Sequence, residues 1–221
     1  MSEKYWIAFG DVHEHLANIH RIKELAGAAG VIVSGDLTNV GDQSRAARIV
    51  DAVRSINSRV YAQIGNMDTR EVERYLEQAG INIHNRLIRL DRHVHLMGIG
   101  YSTPTPFSTP SEVDESQVRS WLKSLAPQAG EAENLIFVTH TPPLGTRADL
   151  LRSGTNAGSR AVRNFIETVQ PGVCVTGHIH EARSVDHIGN TVVINPGTLA
   201  SGGYAEISFD GQRLEARLRQ V

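Results

Sequence analysis

The chain has 221 residues, a formal net charge of −2 and a single cysteine, Cys174. Such a length suits one well-packed domain, while the balanced charge lacks the Lys and Arg excess with which polyanion-binding proteins displace counterions, which argues against a nucleic-acid substrate. One thiol rules out an intrachain disulfide or a thiolate zinc cage, and no apolar run approaches the roughly 18 residues that span a bilayer.

Only Met1-Ser2-Glu3-Lys4 precedes the apolar run from Tyr5 to Phe9, too little for a signal peptide, so a cytoplasmic protein without membrane partners is expected. Tyr5 to Phe9 reads as a buried strand stopping at Gly10-Asp11. An amphipathic α-helix is expected next, with Leu16, Ile19, Ile22, Leu25 and Ala26 on one face, ending near Gly27 to Gly30. Val31-Ile32-Val33 is a second strand, halted at Ser34-Gly35-Asp36, and Asp42 caps a helix carrying Ala46, Ile49, Val50 and Val53. A third strand from Val60 to Ile64 leads into Gly65-Asn66. This alternation predicts a parallel sheet covered by helices. In such sheets ligands gather beyond the carboxyl ends of the strands.

A short helix over 70–79 follows, then a hairpin over 86–99 that turns at Asp91-Arg92. The Ser, Thr and Pro segment 101–111 fits either a surface connection or a rim loop. A helix over 115–125 leads to the strand Leu135-Ile136-Phe137-Val138 and its terminal Thr139-His140. The loop 141–159 carries Arg147 and Arg152 and precedes a helix to about Val169. Val173-Cys174-Val175 then runs into Gly177-His178, and 182–219 alternates strands with turns at Gly189-Asn190 and Asp210-Gly211, an antiparallel pattern. A single α/β domain over residues 1–221 is expected.

Five strand ends carry the chemistry: Asp11 and His13; Asp36; Asn66; His140; His178 and His180. In an extended segment residues i and i+2 point the same way, so Asp11 with His13, and His178 with His180, can address one centre if the backbone stays extended. Imidazole with hard oxygen and no sulfur suits Mn, Fe, Co, Ni or Zn. A lone Asp-x-His pair carries little weight, but these seven residues are too many for one ion with an open position. They suit two divalent ions bridged by one carboxylate, an arrangement fit for phosphoryl transfer.

Asp-x-His, Gly-Asp, Gly-Asn-x-Asp, His and Gly-His-x-His, in that order from Asp11 to His180, resemble the calcineurin-like metallophosphoesterase superfamily. Pro104-Thr105-Pro106-Phe107, His140-Thr141-Pro142-Pro143 and Gly177-His178-Ile179-His180-Glu181-Ala182 are similar to its small prokaryotic Icc-like phosphoesterases. The resemblance implies two packed mixed β-sheets flanked by helices, a four-layer α/β fold. It implies that Asp11, His13 and His180 hold one ion, that Asn66, His140 and His178 hold the other, and that Asp36 bridges them. It further implies a metal-bridging hydroxide as the nucleophile on a small phosphoester.

Two positions depart from the pattern. Glu14 stands where the superfamily often has glycine, and Met67 replaces the histidine of Gly-Asn-His, the general acid, leaving Asp68 without the imidazole it would orient. Losing a general acid typically costs about 10²–10⁴-fold, so the expected activity is that of a phosphodiesterase on esters with good leaving groups. A non-catalytic binding protein on the same fold is the alternative, and seven intact ligands argue against it. Asn39 and Arg147 are candidate substrate contacts, the arginine through phosphate. His84, His93, His95 and His187 belong to no cluster and read as structural or exposed.

Overall fold

Each apolar run ended by glycine or a polar cluster becomes a strand. The computed structural model describes residues 4–221 and opens with β1 (Lys4–Phe9), β2 (Val31–Val33), α1 (Gln43–Arg54), β3 (Val60–Ala62) and α2 (Arg70–Gln78). A second unit follows: β4 (Arg86–Arg89), β5 (His95–Ile99), α3 (Glu115–Gly130), β6 (Leu135–Thr139), α4 (Arg160–Val169) and β7 (Val173–Val175). The chain closes with β8 (Ser184–Ile188), β9 (Thr191–Asn195), β10 (Gly203–Phe209) and β11 (Leu214–Gln220). Two mixed sheets result, with strand orders β11-β10-β1-β2-β3 and β4-β5-β6-β7-β9-β8.

The central strands are apolar throughout because both their faces are covered. Side chains alternate across a strand: in β1, Ile7 and Phe9 face α1 and its Ile49 and Val53. Trp6 and Ala8 face the other sheet, against Ile136, Val138 and Val175. On the far side, Phe137 and Cys174 pack under Leu122 of α3 and Phe165 of α4. Helix, sheet, sheet and helix form the expected four layers, and burial raises the pKa of the Cys174 thiol. Asp42 caps α1 as expected, accepting the Arg45 N–H at 3.0 Å.

Three expectations change. The stretch after β1 is two short 3₁₀ turns, Ile19–Arg21 and Lys23–Gly27, and not an α-helix. Its apolar residues at 16, 19, 22 and 25 recur every three positions, the 3₁₀ repeat and not 3.6. Helix α3 runs five residues beyond 125, past Pro127, because Leu125 and Ala129 both bury. The C-terminal stretch is not one antiparallel sheet. β9 pairs in parallel with β7, while β10 crosses to the first sheet and pairs antiparallel with β1.

Candidate metal centre

The loops at the carboxyl ends of β1, β2, β3, β6 and β7 meet between the sheets. Asp11 and His13 adopt φ of 47° and 46°, and His178 adopts 71°. The extended i, i+2 geometry is therefore corrected: these residues turn through left-handed backbone. What holds the turn is the neighbouring loop, since the N–H groups of Val12 and His13 both donate to the Asp36 carbonyl, at 2.8 and 3.0 Å. Glycine permits the close approach. A Cβ on Gly65 would lie 2.1 Å from Asp36 Oδ1, and Gly35 has φ +121°, with its Cβ position 2.6 Å from His140 Nδ1.

These turns gather the seven residues into two sets. In the first, Asp11, His13, Asp36 and His180 each present a ligand atom, all within 4.8 Å of one another. His13 Nε2 lies 3.1 Å from His180 Nε2, and His180 Nε2 lies 3.4 Å from Asp11 Oδ1. In the second set, Asn66 Oδ1 is 2.7 Å from His178 Nδ1 and 3.0 Å from His140 Nε2. His140 Nε2 is also 3.4 Å from Asp36 Oδ2, so Asp36 belongs to both. His178 and His180, two residues apart, serve different sets.

Outer hydrogen bonds aim these atoms. His140 Nδ1 donates to the Ser34 carbonyl at 3.1 Å, and His13 Nδ1 donates to Asn39 Oδ1 at 2.8 Å. In this assignment, taken from the hydrogen-bond network, both Nε2 atoms turn inward, where each would offer a lone pair to an ion that replaces its proton. Asn66 Nδ2 donates to Thr109 Oγ1 at 3.0 Å, which turns its oxygen toward the imidazoles. Asp11 and Asp36 are 1 % and 2 % exposed, and among the described residues neither pairs with Lys or Arg. Lone pairs and buried carboxylates thus converge where the protein supplies no permanent cation, and oxygen and imidazole donors fit divalent ions there.

The titrations express the same deficit. Burial opposes a charge on His140, yet Asp36, with help from Asp11 and Asp68, raises it to about 9. Burial likewise opposes ionisation of Asp36, but His140 and His13 hold its carboxyl below the usual range. Burial, followed by the His140 charge, lowers His178 to about 4.

Met67 lines the pocket over these sets, and its N–H donates to Asp36 Oδ1 at 2.8 Å. Asp68 is fully buried and is no idle orienting group. It accepts the N–H groups of Leu37, Thr38 and Gly65 at 3.0, 2.8 and 3.0 Å, and the Thr38 hydroxyl at 2.9 Å. Burial and the Asp36 charge push its carboxyl up to about 7. All four of these contacts donate, however, so a proton on either oxygen would displace one of them.

The pocket above the ligands measures about 880 Å³. Segment 103–110 lines it, so the Ser, Thr and Pro stretch is a rim loop. Asn39 lines it as well, whereas Arg147 does not. That arginine is exposed, and its N–H donates to Asp186 Oδ2 at 2.7 Å. Sequence reasoning missed Thr109 and Glu112. Glu112 Oε1 accepts the hydroxyls of Thr105 and Thr109, both at 2.6 Å, and these bonds overcome burial to hold its carboxyl at about 2. Their Thr-x-x-Glu spacing, a familiar mutual-capping signal, was the available clue.

Comparison with known proteins agrees with this geometry. A family model described as metallophosphoesterase, calcineurin superfamily, matches residues 119–218. The uncharacterized protein MJ1162 of Methanocaldococcus jannaschii is 31% identical over 197 residues, covering 86% of each chain. The structure of TT1561 from Thermus thermophilus superposes with a TM-score of 0.72 at 19% identity, over 98% of this chain and 99% of that one. A dimetal phosphatase from Danio rerio gives 0.66 at 12%, over 98% and 96%. The chain belongs to the calcineurin-like metallophosphoesterase superfamily. Its class is that of metal-dependent hydrolases of phosphoesters, and among the described residues no helix is long and apolar enough to cross a membrane.

Proposed function

We propose that this chain is a single-domain, dimetal phosphodiesterase. Asp11, His13 and His180 would hold one divalent ion and Asn66, His140 and His178 the other, with Asp36 placed within reach of both sets. When bound, such ions lower the pKa of water and neutralise charge on the phosphoryl oxygens. The residues around them divide the remaining work. Asn39, Ser34 and Thr109 orient His13, His140 and Asn66, and Asp68 ties the loops after β2 and β3 into one frame. Nitrogen and oxygen ligands admit Mn, Fe, Co, Ni or Zn.

One observation carries the diester preference. Among the described residues that line the pocket there is no Lys or Arg, the side chains that usually clamp a dianionic phosphate. A diester carries a single negative charge at phosphorus. Met67 points to the same class, because its thioether has no proton for a leaving alkoxide, and esters with acidic leaving groups tolerate that lack. The dimetal phosphatase of Danio rerio has the same fold.

Met67→His tests this reading, assayed on a p-nitrophenyl diester and on a dialkyl diester. Restoring an imidazole raises dialkyl turnover by about 10²-fold or more and changes p-nitrophenyl turnover far less. An equal change on both would refute the missing-acid explanation.

A further inference from the structure

Beyond the candidate ligands, this pocket presents carbon. Val40, Met67, Phe107, Leu151 and Ile179 line it. Phe107 is 83 % exposed and Val40 55 %. The large apolar side chains exposed among the described residues are Val40, Phe107 and Leu150. Two of the three line this pocket and the third precedes Leu151, so the exposed apolar surface is gathered here and not scattered.

Backbone geometry makes the arrangement more pointed. Val40 has φ +52°, a conformation that a β-branched residue adopts only under strain. Glycine or asparagine would sit there relaxed, and burial returns nothing to a side chain this exposed. The Val40 N–H donates to the Met67 carbonyl at 3.0 Å, which holds this strained backbone at the pocket wall. Phe107 is anchored in a similar way. Its N–H donates to Thr105 Oγ1 at 3.2 Å, and that hydroxyl is held by Glu112 at 2.6 Å. Strained or anchored, both residues hold apolar surface in water beside the candidate ligands.

We propose that this wall binds an apolar organic group of the substrate, so that the preferred diester carries an extended alkyl or an aromatic substituent. This rests on the diesterase reading above and specifies its substrate class. Charge supports it over a polyphosphate or polynucleotide: no Lys or Arg among the described residues lines the pocket, and Glu181 does. Further phosphates would meet a carboxylate and no side-chain cation. A volume of about 880 Å³ holds both organic groups of a diester.

A homologous series of alkyl p-nitrophenyl phosphates, from methyl to octyl, tests the wall with the leaving group held constant and Mn²⁺ as the metal. For the wild type, kcat/KM rises roughly two- to fourfold per methylene over the first members. Phe107→Ala and Val40→Gly flatten that slope, while melting curves report that both variants fold. A flat wild-type series with clear turnover, or slopes unchanged in both variants, overturns the wall and leaves the diesterase reading standing. No turnover of any member, with Mn²⁺ or with Zn²⁺, Fe²⁺, Co²⁺ or Ni²⁺ in its place, overturns both.

Discussion

Asp68→Asn separates a structural clamp from an orienting group left over from a catalytic pair. The carboxylate receives two donors on each oxygen: Leu37 and Gly65 N–H on Oδ2, Thr38 N–H and its hydroxyl on Oδ1. An amide keeps one oxygen. If its NH₂ replaces Oδ2, two buried N–H groups are stranded. If it replaces Oδ1, only the Thr38 N–H is stranded, because the hydroxyl can rotate. The second choice still loses one buried donor's partner, about 1–3 kcal/mol. That is a large share of a typical 5–15 kcal/mol stability. In a chain of 221 residues it lowers Tm by roughly 5 °C. Thermal melts of metal-free and Mn²⁺-loaded protein measure it, together with metal affinity, which falls because Gly65 precedes Asn66. A stability loss under about 1 kcal/mol with turnover abolished would refute the clamp and restore the orienting role.

Two further outcomes follow from the same geometry. Thr109→Val keeps the shape but removes the acceptor that aligns Asn66, so one of two metal affinities falls about 10–100-fold in a chelator competition. Unchanged affinity for both ions would remove Thr109 from the site. His84 gives a pH signature away from the ligands. Its Nδ1 accepts the Gly100 N–H at 3.0 Å between the rings of Tyr101 and Trp121, and burial lowers its pKa from 6.5 to about 4. The unfolded chain therefore takes up this proton first. Stability is full above pH 6.5 and falls by roughly 3 kcal/mol toward pH 4. Urea midpoints of metal-loaded protein should show the slope, and His84→Phe should lack this part of it. An identical slope in the variant would discard the assignment.

Much of the molecule was legible because burial writes itself into strand composition. The runs Trp6 to Phe9, Val31 to Val33 and Val173 to Val175 had to lie between covering layers, and glycines marked where each ended. Polar residues just past those glycines then fell at one end of the sheets. What the sequence did not show is backbone that departs from regular geometry. Asp11, His13 and His178 reach the centre through left-handed turns, a conformation set by hydrogen bonds to neighbouring loops and not by local spacing. Arg147 looked suited to phosphate because it follows a ligand strand, yet its 3₁₀ turn faces Asp186 and solvent. Thr109 and Glu112 escaped notice because their role depends on contact with Asn66, 43 residues from Thr109.

The dimetal reading of the site requires two ions within reach of Asp36. The direct measurement is metal content per chain, by elemental analysis of protein loaded with Mn²⁺ and freed of excess, alongside hydrolysis of bis(p-nitrophenyl) phosphate during the titration. Wild-type protein should bind about two ions per chain, with turnover that rises as the second is taken up, and Asp36→Asn should lose both binding and turnover. One ion or none in the wild type, or an Asp36→Asn variant that still hydrolyses the diester at the wild-type rate, would contradict the dimetal reading.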